Sequence, residues 1–495
     1  MSRKISTFLI AGTALGFGGV ASAQSEATLE ASSNLDLAEA YRAELAADAA
    51  GRTSLQSGGQ QGFTITSADG NSTLNIGGLV QFRYTANFRD DDSFDQFNTT
   101  VDADGDGNNE INGLLPEIDD NDFSHGFNVQ RTRLDLTGNL AIPNFTYRVS
   151  GDFADITQGG AGGDFNVTWA YGQYDFTGAL EGFYARLGII KAPLYYEELV
   201  APEFQLAAER SLTNEFFSQQ YSEGIQLGYD GEFLRAAVAF TDGLATRGTQ
   251  FNQAGEADIA ITGRADFKLA GDWEQFQDFT SFRGSEFGAR VGGAVHWETF
   301  GETGVNAASA TATLPQGVAA GFDPTGDIIA YTIDGQIEGN GWNAFAAFNG
   351  RYEQNDNAPD GMGGTDEENI NDFGVVLQAG YFVTDQIELF GRYDGLFFDE
   401  DRFENLEDGT SSLEEDLHFA TFGANYYFIP ESHALKFTLD VGISFEESTA
   451  ALLTASPSGG GGTLLGGSAA NTVTGFLGQD DDTEVVVRGQ FQLLF

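Results

Sequence analysis

The sequence predicts an all-β protein: a transmembrane antiparallel β-barrel of about sixteen strands, preceded by a short N-terminal helix. Three observations predict it. From residue 74 onward, apolar and polar residues alternate at period two in segments of about ten residues or more, roughly twice the length of a soluble sandwich strand. The connections between these segments alternate between long and short. The chain ends "TEVVVRGQFQLLF", where Val485, Val487, Phe491, Leu493 and Phe495 share one face with Gly489, and Glu484, Arg488, Gln490 and Gln492 share the other.

Composition supports many strands and tight turns. Among 495 residues there are 65 glycines, 43 phenylalanines and only 9 prolines. Proline removes a ladder donor and glycine serves turns, so this balance favours strands. The hydrophobic fraction of 41% is periodic, which excludes a disordered chain. After the N-terminus no apolar run approaches the roughly 20 residues of a membrane-spanning helix. The net charge of −51 argues against nucleic acid as a partner, because phosphate binding needs a basic face. With no cysteine, disulfides, thiolate nucleophiles and Cys-ligated zinc are excluded.

Residues 1–23 read as a secretory signal peptide. "MSRK" carries two positive charges, "ISTFLIAGTALGFGGV" is an apolar core, and "ASA" ending at Ala23 is a small-x-small cleavage site. Residues 24–62 form a separate N-terminal segment expected in the periplasm. Within it Leu37, Tyr41 and Leu45 are spaced by four, as in one short amphipathic helix with Asn34 or Asp36 as cap. It reads equally as a trimerisation stub or as a loosely ordered leader.

Residues 63–495 are the expected barrel. In "LNIGGLVQFRYTANFR", Leu74, Ile76, Val80, Phe82, Tyr84 and Phe88 point one way, and Asn75, Gln81, Arg83, Asn87 and Arg89 the other. "FTYRVSGDF", "DIAITGRADFKLA" and "GWNAFAAFNGRY" repeat the pattern. Strands are expected to start near 74, 126, 143, 164, 182, 222, 232, 257, 286, 326, 340, 370, 386, 415, 433 and 483. Short turns such as "AIPN", "YDGE", "EGNG" and "VTDQ" alternate with long loops, the asymmetry of outer-membrane barrels. The turn around "GDWEQFQDFTSFRGS" is too long for the pattern.

Charge on the lipid face of such a barrel costs roughly 2–4 kcal/mol at mid-bilayer, so strand charges must point inward. This phasing sends Arg83, Arg131, Arg133, Arg148, Arg186, Arg235, Arg264 and Arg290 to the interior as pore-lining residues, with Lys268, Arg351, Arg392, Lys436 and Arg488. Asp135, Asp152, Asp175, Asp266, Asp334, Glu388 and Asp440 face inward as well. Two readings stand: a wall of paired charges, or unpaired arginines forming an anion pathway.

A sixteen-strand lumen is wide and is commonly narrowed by an internal loop. Residues 191–220 are the candidate, rich in aromatics and aliphatics where other long loops are rich in glycine and aspartate. The loop begins at Lys191, and its Glu197, Glu198, Glu203, Glu209 and Arg210 are placed to face the arginines of the wall. The alternatives are a loop folded over the mouth or used in a subunit contact.

"RLGIIKAPLYYEELVAPEFQLAAERSL" resembles the phosphate-selective porin O and P family, through Gly188, Lys191 and Pro193, then Glu198–Leu199 and Glu209–Arg210. "QRTRLDLTGNL" and "TFGANYYF" resemble two further strands of that family. The resemblance implies a trimeric sixteen-stranded porin, general or anion-selective. The family's phosphate specificity rests on arginine and lysine ladders, whereas this chain has four lysines in all, one of them in the signal segment.

The segment 89–125 holds twelve acids. Asp102, Asp104 and Asp106 followed by Gly107 begin like a calcium loop, but Gly113 stands where its closing bidentate Glu belongs. They are a weak candidate for calcium; no other cofactor is expected. His125, His296, His418 and His433 have no metal spacing, and no Gly-x-Ser-x-Gly, Walker or His-Glu-x-x-His motif occurs, so no enzyme is expected. The expected function is an outer-membrane porin of a Gram-negative-type bacterium. It would be a homotrimer in outer-membrane lipid, passing small hydrophilic solutes or ions by passive diffusion, with anions such as phosphate among the candidates. The alternative is a structural or adhesive surface barrel whose acidic outer loops bind cations.

Overall fold

The computed structural model describes residues 63–89, 123–153, 165–247, 256–300, 325–359, 365–399, 416–446, 474–477 and 483–495, with side chains 355–368 left aside. The expected signal peptide, the N-terminal helix and the Asp102–Asp104–Asp106 loop lie outside the described residues.

Among the described residues, period-two alternation produces seventeen strands, all in one antiparallel sheet. Sixteen form the barrel: β2 (Thr73–Phe88), β3 (Phe123–Leu140), β4 (Ile142–Asp152), β5 (Asn166–Asp175), β6 (Phe183–Ile190), β7 (Ser222–Asp230), β8 (Leu234–Thr241) and β9 (Ile259–Ala270) make one half. The other half is β10 (Gly288–Phe300), β11 (Gly326–Gly339), β12 (Trp342–Pro359), β13 (Thr365–Phe382), β14 (Ile387–Phe397), β15 (Asp416–Tyr427), β16 (Leu435–Ser444) and β17 (Glu484–Leu494). Each pairs with the next in sequence, and β17 pairs back with β2 from Val485–Phe88 to Leu494–Leu79, which closes the barrel. Full closure leaves no open barrel edge, the condition for a sheet to stand in lipid.

The expected strands all occur, most within three residues of their predicted starts. The sequence missed β1 (Phe63–Thr66), a four-residue strand paired with Thr73–Ile76 of β2. It occupies the edge of β2 just beyond the point where β17 ends.

That end answers what the terminal aromatic does. Phe495 N donates to Gly78 O at 2.9 Å and Gly78 N donates to Phe495 O at 2.7 Å, so the last residue completes the seam. Gly78 carries no side chain where the Phe495 ring lies; an added Cβ would sit 2.5 Å from its Cζ.

Alternation separates the two faces. Phe82, Phe127, Leu187, Leu227, Val238, Leu269, Ile333, Leu439 and Phe491 project outward and are exposed. The polar partners between them project inward. The β11–β12 hairpin turns on Asn340 (φ 32°) and Gly341 (φ 88°), both in the left-handed region that the two-residue turn requires.

Candidate functional site

The interior is built by one loop. Residues 191–221 leave β6 at the long-loop rim and fold inside the barrel. They carry two short helices, α1 (Tyr196–Leu199) and α2 (Leu212–Phe217), the latter capped by Ser211, whose side chain accepts from Asn214 N. The loop's apolar composition explains its position, since its aliphatic and aromatic side chains fill the barrel. Leu194, Tyr195, Leu212, Phe216 and Phe217 pack on Ala294, Ala330, Leu396, Leu417, Phe419 and Val486 of the wall. Val200, Leu206 and Ala207 pack on Phe345, Val376 and Phe390.

Polar contacts tie the loop's backbone to the wall, as buried peptide groups require. Arg264 donates to Leu194 O (2.8 Å). Asn425 donates to Leu206 O (2.9 Å) and Lys436 to Gln205 O (2.9 Å). Ala208 N donates to Asp440 (2.8 Å) and Leu212 N to Asp394 (2.8 Å). Arg392 donates to the carbonyls of Glu209 and Arg210.

Among the loop's acids, Glu209 meets the wall as expected. One oxygen takes Arg83 at 2.9 Å and the other Arg131 at 2.7 Å. Burial opposes its ionisation, but Arg131 and Arg83 overcome that and hold its carboxyl well below the usual range. Of Glu198, Glu203 and Glu209, the three alternatives for pairing with the wall arginines, Glu198 and Glu203 find other partners. Glu198 binds Lys191 and Arg210 of its own loop. Burial pushes its carboxyl up, yet Arg210 and Lys191 prevail and hold it down at about 2. Glu203 gives its backbone carbonyl to Lys436 and Gln492, not its carboxylate to an arginine. Glu197 accepts from Ser211 N and Oγ and lies 4.0 Å from Arg392. Glu215, on α2, is half-buried; burial first, then Glu209 and Glu198, push its carboxyl up to about 8.

The predicted wall arginines all face the interior, and nearly all are paired. Arg133 lies 3.9 Å from Asp152, Arg148 2.7 Å from Asp135 and Arg235 3.2 Å from Asp230. Arg264 and Arg290 share Asp334 (2.9 and 2.7 Å) and Asp266 (2.6 and 3.2 Å). Arg351 meets Glu353 and Asp372, and Arg488 meets Asp440 at 2.8 Å. A paired wall satisfies buried charge locally. Arg186 differs: it donates to Gln173 (2.9 Å) and, among the described residues, has no carboxylate partner.

The loop divides the interior unequally. On the side it covers, Arg290 and Asp334 are 1% and 0% exposed. On the β3–β4 side Arg148 and Asp135 are 26% and 21% exposed. Arg186, Trp169, Tyr171 and Tyr184 are likewise half-buried. Water therefore reaches the β3–β6 wall.

The over-long turn 271–287 also folds inward, from the opposite rim. Its 3-10 turn (Trp273–Gln277) is held by a capping box between Asp272 and Gln275. Phe279 packs its ring against Phe345 at a tilt of 49° (4.7 Å between centroids), and its N donates to Phe204 O of the loop (3.2 Å). Tyr196 donates from its hydroxyl to Phe276 O. Loop and turn together border a cavity of about 910 Å³ that Arg148, Tyr171, Arg235 and Trp273 also line.

These features define a class: a closed sixteen-stranded transmembrane β-barrel whose interior is narrowed by an inserted loop. No protein-family model and no curated protein matches the chain. Among solved structures it is similar to outer-membrane expressed OmpT of Vibrio cholerae, at 9% identity over 87% of this chain and 100% of that one, with a TM-score of 0.49. It is similar to the outer membrane channel DcaP of Acinetobacter baumannii, at 13% identity over 87% and 99% (TM-score 0.49). It is also similar to OprB of Pseudomonas putida, at 9% identity over 85% and 94% (TM-score 0.47).

Proposed function

We propose that the chain is an outer-membrane porin, a water-filled channel for passive diffusion of small hydrophilic solutes or ions. The observation that carries this reading is the uneven filling of the interior. The inserted loop buries the charges of one side, while the β3–β6 wall keeps charged and polar groups in contact with water. A barrel that served only as a scaffold gains nothing from wet charges along one wall. The signal segment, the asymmetry of turns and loops, and the outward apolar face support insertion in a Gram-negative-type outer membrane. A homotrimer follows only from the family resemblance.

Phosphate selectivity receives no support, because ten of the wall arginines have carboxylates within 4.0 Å. Paired guanidinium groups leave a field much weaker than the arginine count suggests. Refolded protein in a planar bilayer should give discrete conductance steps in KCl. The reversal potential in a salt gradient should lie well short of that of an ideally anion-selective pore. Correctly folded protein that leaves the bilayer silent would sink the porin reading in favour of a structural or adhesive barrel with acidic outer loops.

A further inference from the structure

We propose that the β5–β6 wall is a binding site for anionic sugars: ring-shaped, hydroxylated solutes that carry a carboxylate or a phosphate. The inference rests on the porin reading only for how solute arrives, since the site itself is a set of side chains facing the interior.

Four aromatic rings follow one another along this wall. Tyr221 meets Trp169 edge-on at 5.3 Å, and Trp169 meets Tyr171 edge-on at 5.8 Å. The guanidinium of Arg186 lies 4.5 Å from the Tyr171 ring centre and 5.4 Å from that of Tyr184. Register explains the line. Trp169 and Tyr171 are successive inward positions of β5, Arg186 stands opposite Gln173, and Tyr184 stands opposite Asp175.

The neighbouring inward positions are empty of side chains. Gly188 faces Tyr171, Gly224 faces Gly188, and Gly228 faces Tyr184. Tyr184 lies down over Gly228, where an added Cβ would run into the ring. Its hydroxyl accepts from Gln226 at 2.7 Å, which fixes it there.

The chemistry of the set is specific. Aromatic faces take up the C–H face of a sugar ring. A guanidinium presents a planar fork of donors that matches a carboxylate or phosphate, and its stacking on aromatic rings holds the fork in place. Arg186 keeps Nη1 and Nη2 for such a partner, because Gln173 takes only its Nε. Gln173 is engaged by Arg186 and donates to Asp175 (2.7 Å), so Asp175 and Gln226 are the groups of this wall that suit hydroxyl groups. Arg148 over Trp169 is held by Asp135 and Lys191 over Tyr221 by Glu198, so a small inorganic anion would use the Arg186 guanidinium and none of the ring surface. A neutral hexose would use the rings and not the charge. Rings that merely filled the barrel would be buried like Phe216 and Phe279, whereas these are half-exposed.

The test uses the full-length refolded protein with glucuronate, glucose and inorganic phosphate at equal concentration. Two readouts are taken: solute-induced interruption of the KCl current in bilayers, and quenching of tryptophan fluorescence in detergent, which needs no through-channel. Glucuronate should bind about tenfold more tightly than glucose or phosphate, the value of one charge-assisted hydrogen-bonded pair. Arg186→Gln should erase the preference for glucuronate over glucose in both readouts. Tyr171→Ala or Tyr184→Ala should weaken both sugars. Quenching by glucuronate in a protein that passes no KCl current would overturn the porin reading and keep this one. A KCl-conducting channel that binds glucuronate no better than glucose, or equally well after Arg186→Gln, would overturn this inference and leave the porin.

Discussion

Arg83 Nη2 stands 2.9 Å from Glu209 Oε2, both side chains buried, and this pair joins β2, whose far side closes on β17, to the loop that crosses the interior. The other oxygen of the same carboxylate holds Arg131 of β3 at 2.7 Å. One acid therefore bridges two arginines and fixes the loop's position against the seam.

Glu209→Gln should free the loop. Removing one partner of a buried pair leaves uncompensated charge and typically costs about 3–5 kcal/mol. The variant should unfold at a lower temperature, and its single-channel current should be larger and noisier as the loop detaches. Glu209→Asp should show a smaller effect. A variant with the parent's conductance and noise would mean that the loop is held by its apolar contacts alone.

A steric change should do the same without touching charge. Gly374 of β13 faces α2, and an added Cβ would lie 2.5 Å from Thr213 Cγ2 and 2.6 Å from Phe217 Cε2. Gly374→Leu should push α2 off the wall, because overpacking forces backbone shifts that cost about 1–3 kcal/mol. Conductance should rise, as it should on deleting residues 200–212. If both changes leave conductance as it was, the narrowest section lies elsewhere, and the inward turn 271–287 is the next place to cut.

Glu215 should make the channel respond to pH. Its carboxyl is raised to about 8 in the folded protein from an ordinary 4.5, by burial and then by Glu209 and Glu198. Between those values the folded state holds a proton that the unfolded state has released. Stability contributed here therefore falls as pH rises through that window. Above it the interior gains one negative charge. Cation preference, read from the reversal potential in a KCl gradient, should increase from pH 6 to pH 9. Glu215→Gln should flatten that dependence, and an unchanged slope in the variant would assign the titration to another group.

Much of this protein is legible in its sequence because a barrel wall is a local object. The side chains of a strand alternate, lipid tolerates no charge, and water tolerates no long apolar face. So "FTYRVSGDF" and "DIAITGRADFKLA" announce both the strand and its inward side. The apolar make-up of residues 191–220 similarly required burial, and the barrel interior was the available place. The inward direction of Arg83, Arg131 and Arg148 needed only the period of two.

What those arginines meet was decided by tertiary structure. Partners across the interior come from residues far apart in the chain, as with Arg83 and Glu209 or Arg264 and Asp334, and no local pattern fixes such distances. The loop choice of Glu198 for Lys191 and Arg210, within its own turn, is a matter of which cation is nearest once the loop has folded. The inward apolar residues Phe345, Phe390, Leu396, Leu417 and Phe419 break the polar-inside rule because the loop and the turn 271–287 dry that half of the barrel. The half they leave wet holds Trp169, Tyr171, Tyr184 and Arg186, whose alignment exists only when β5 and β6 are in register and glycines stand beside them. Periodicity determines which way a side chain points, because it depends on neighbours in sequence. Only closure of the barrel determines what it points at.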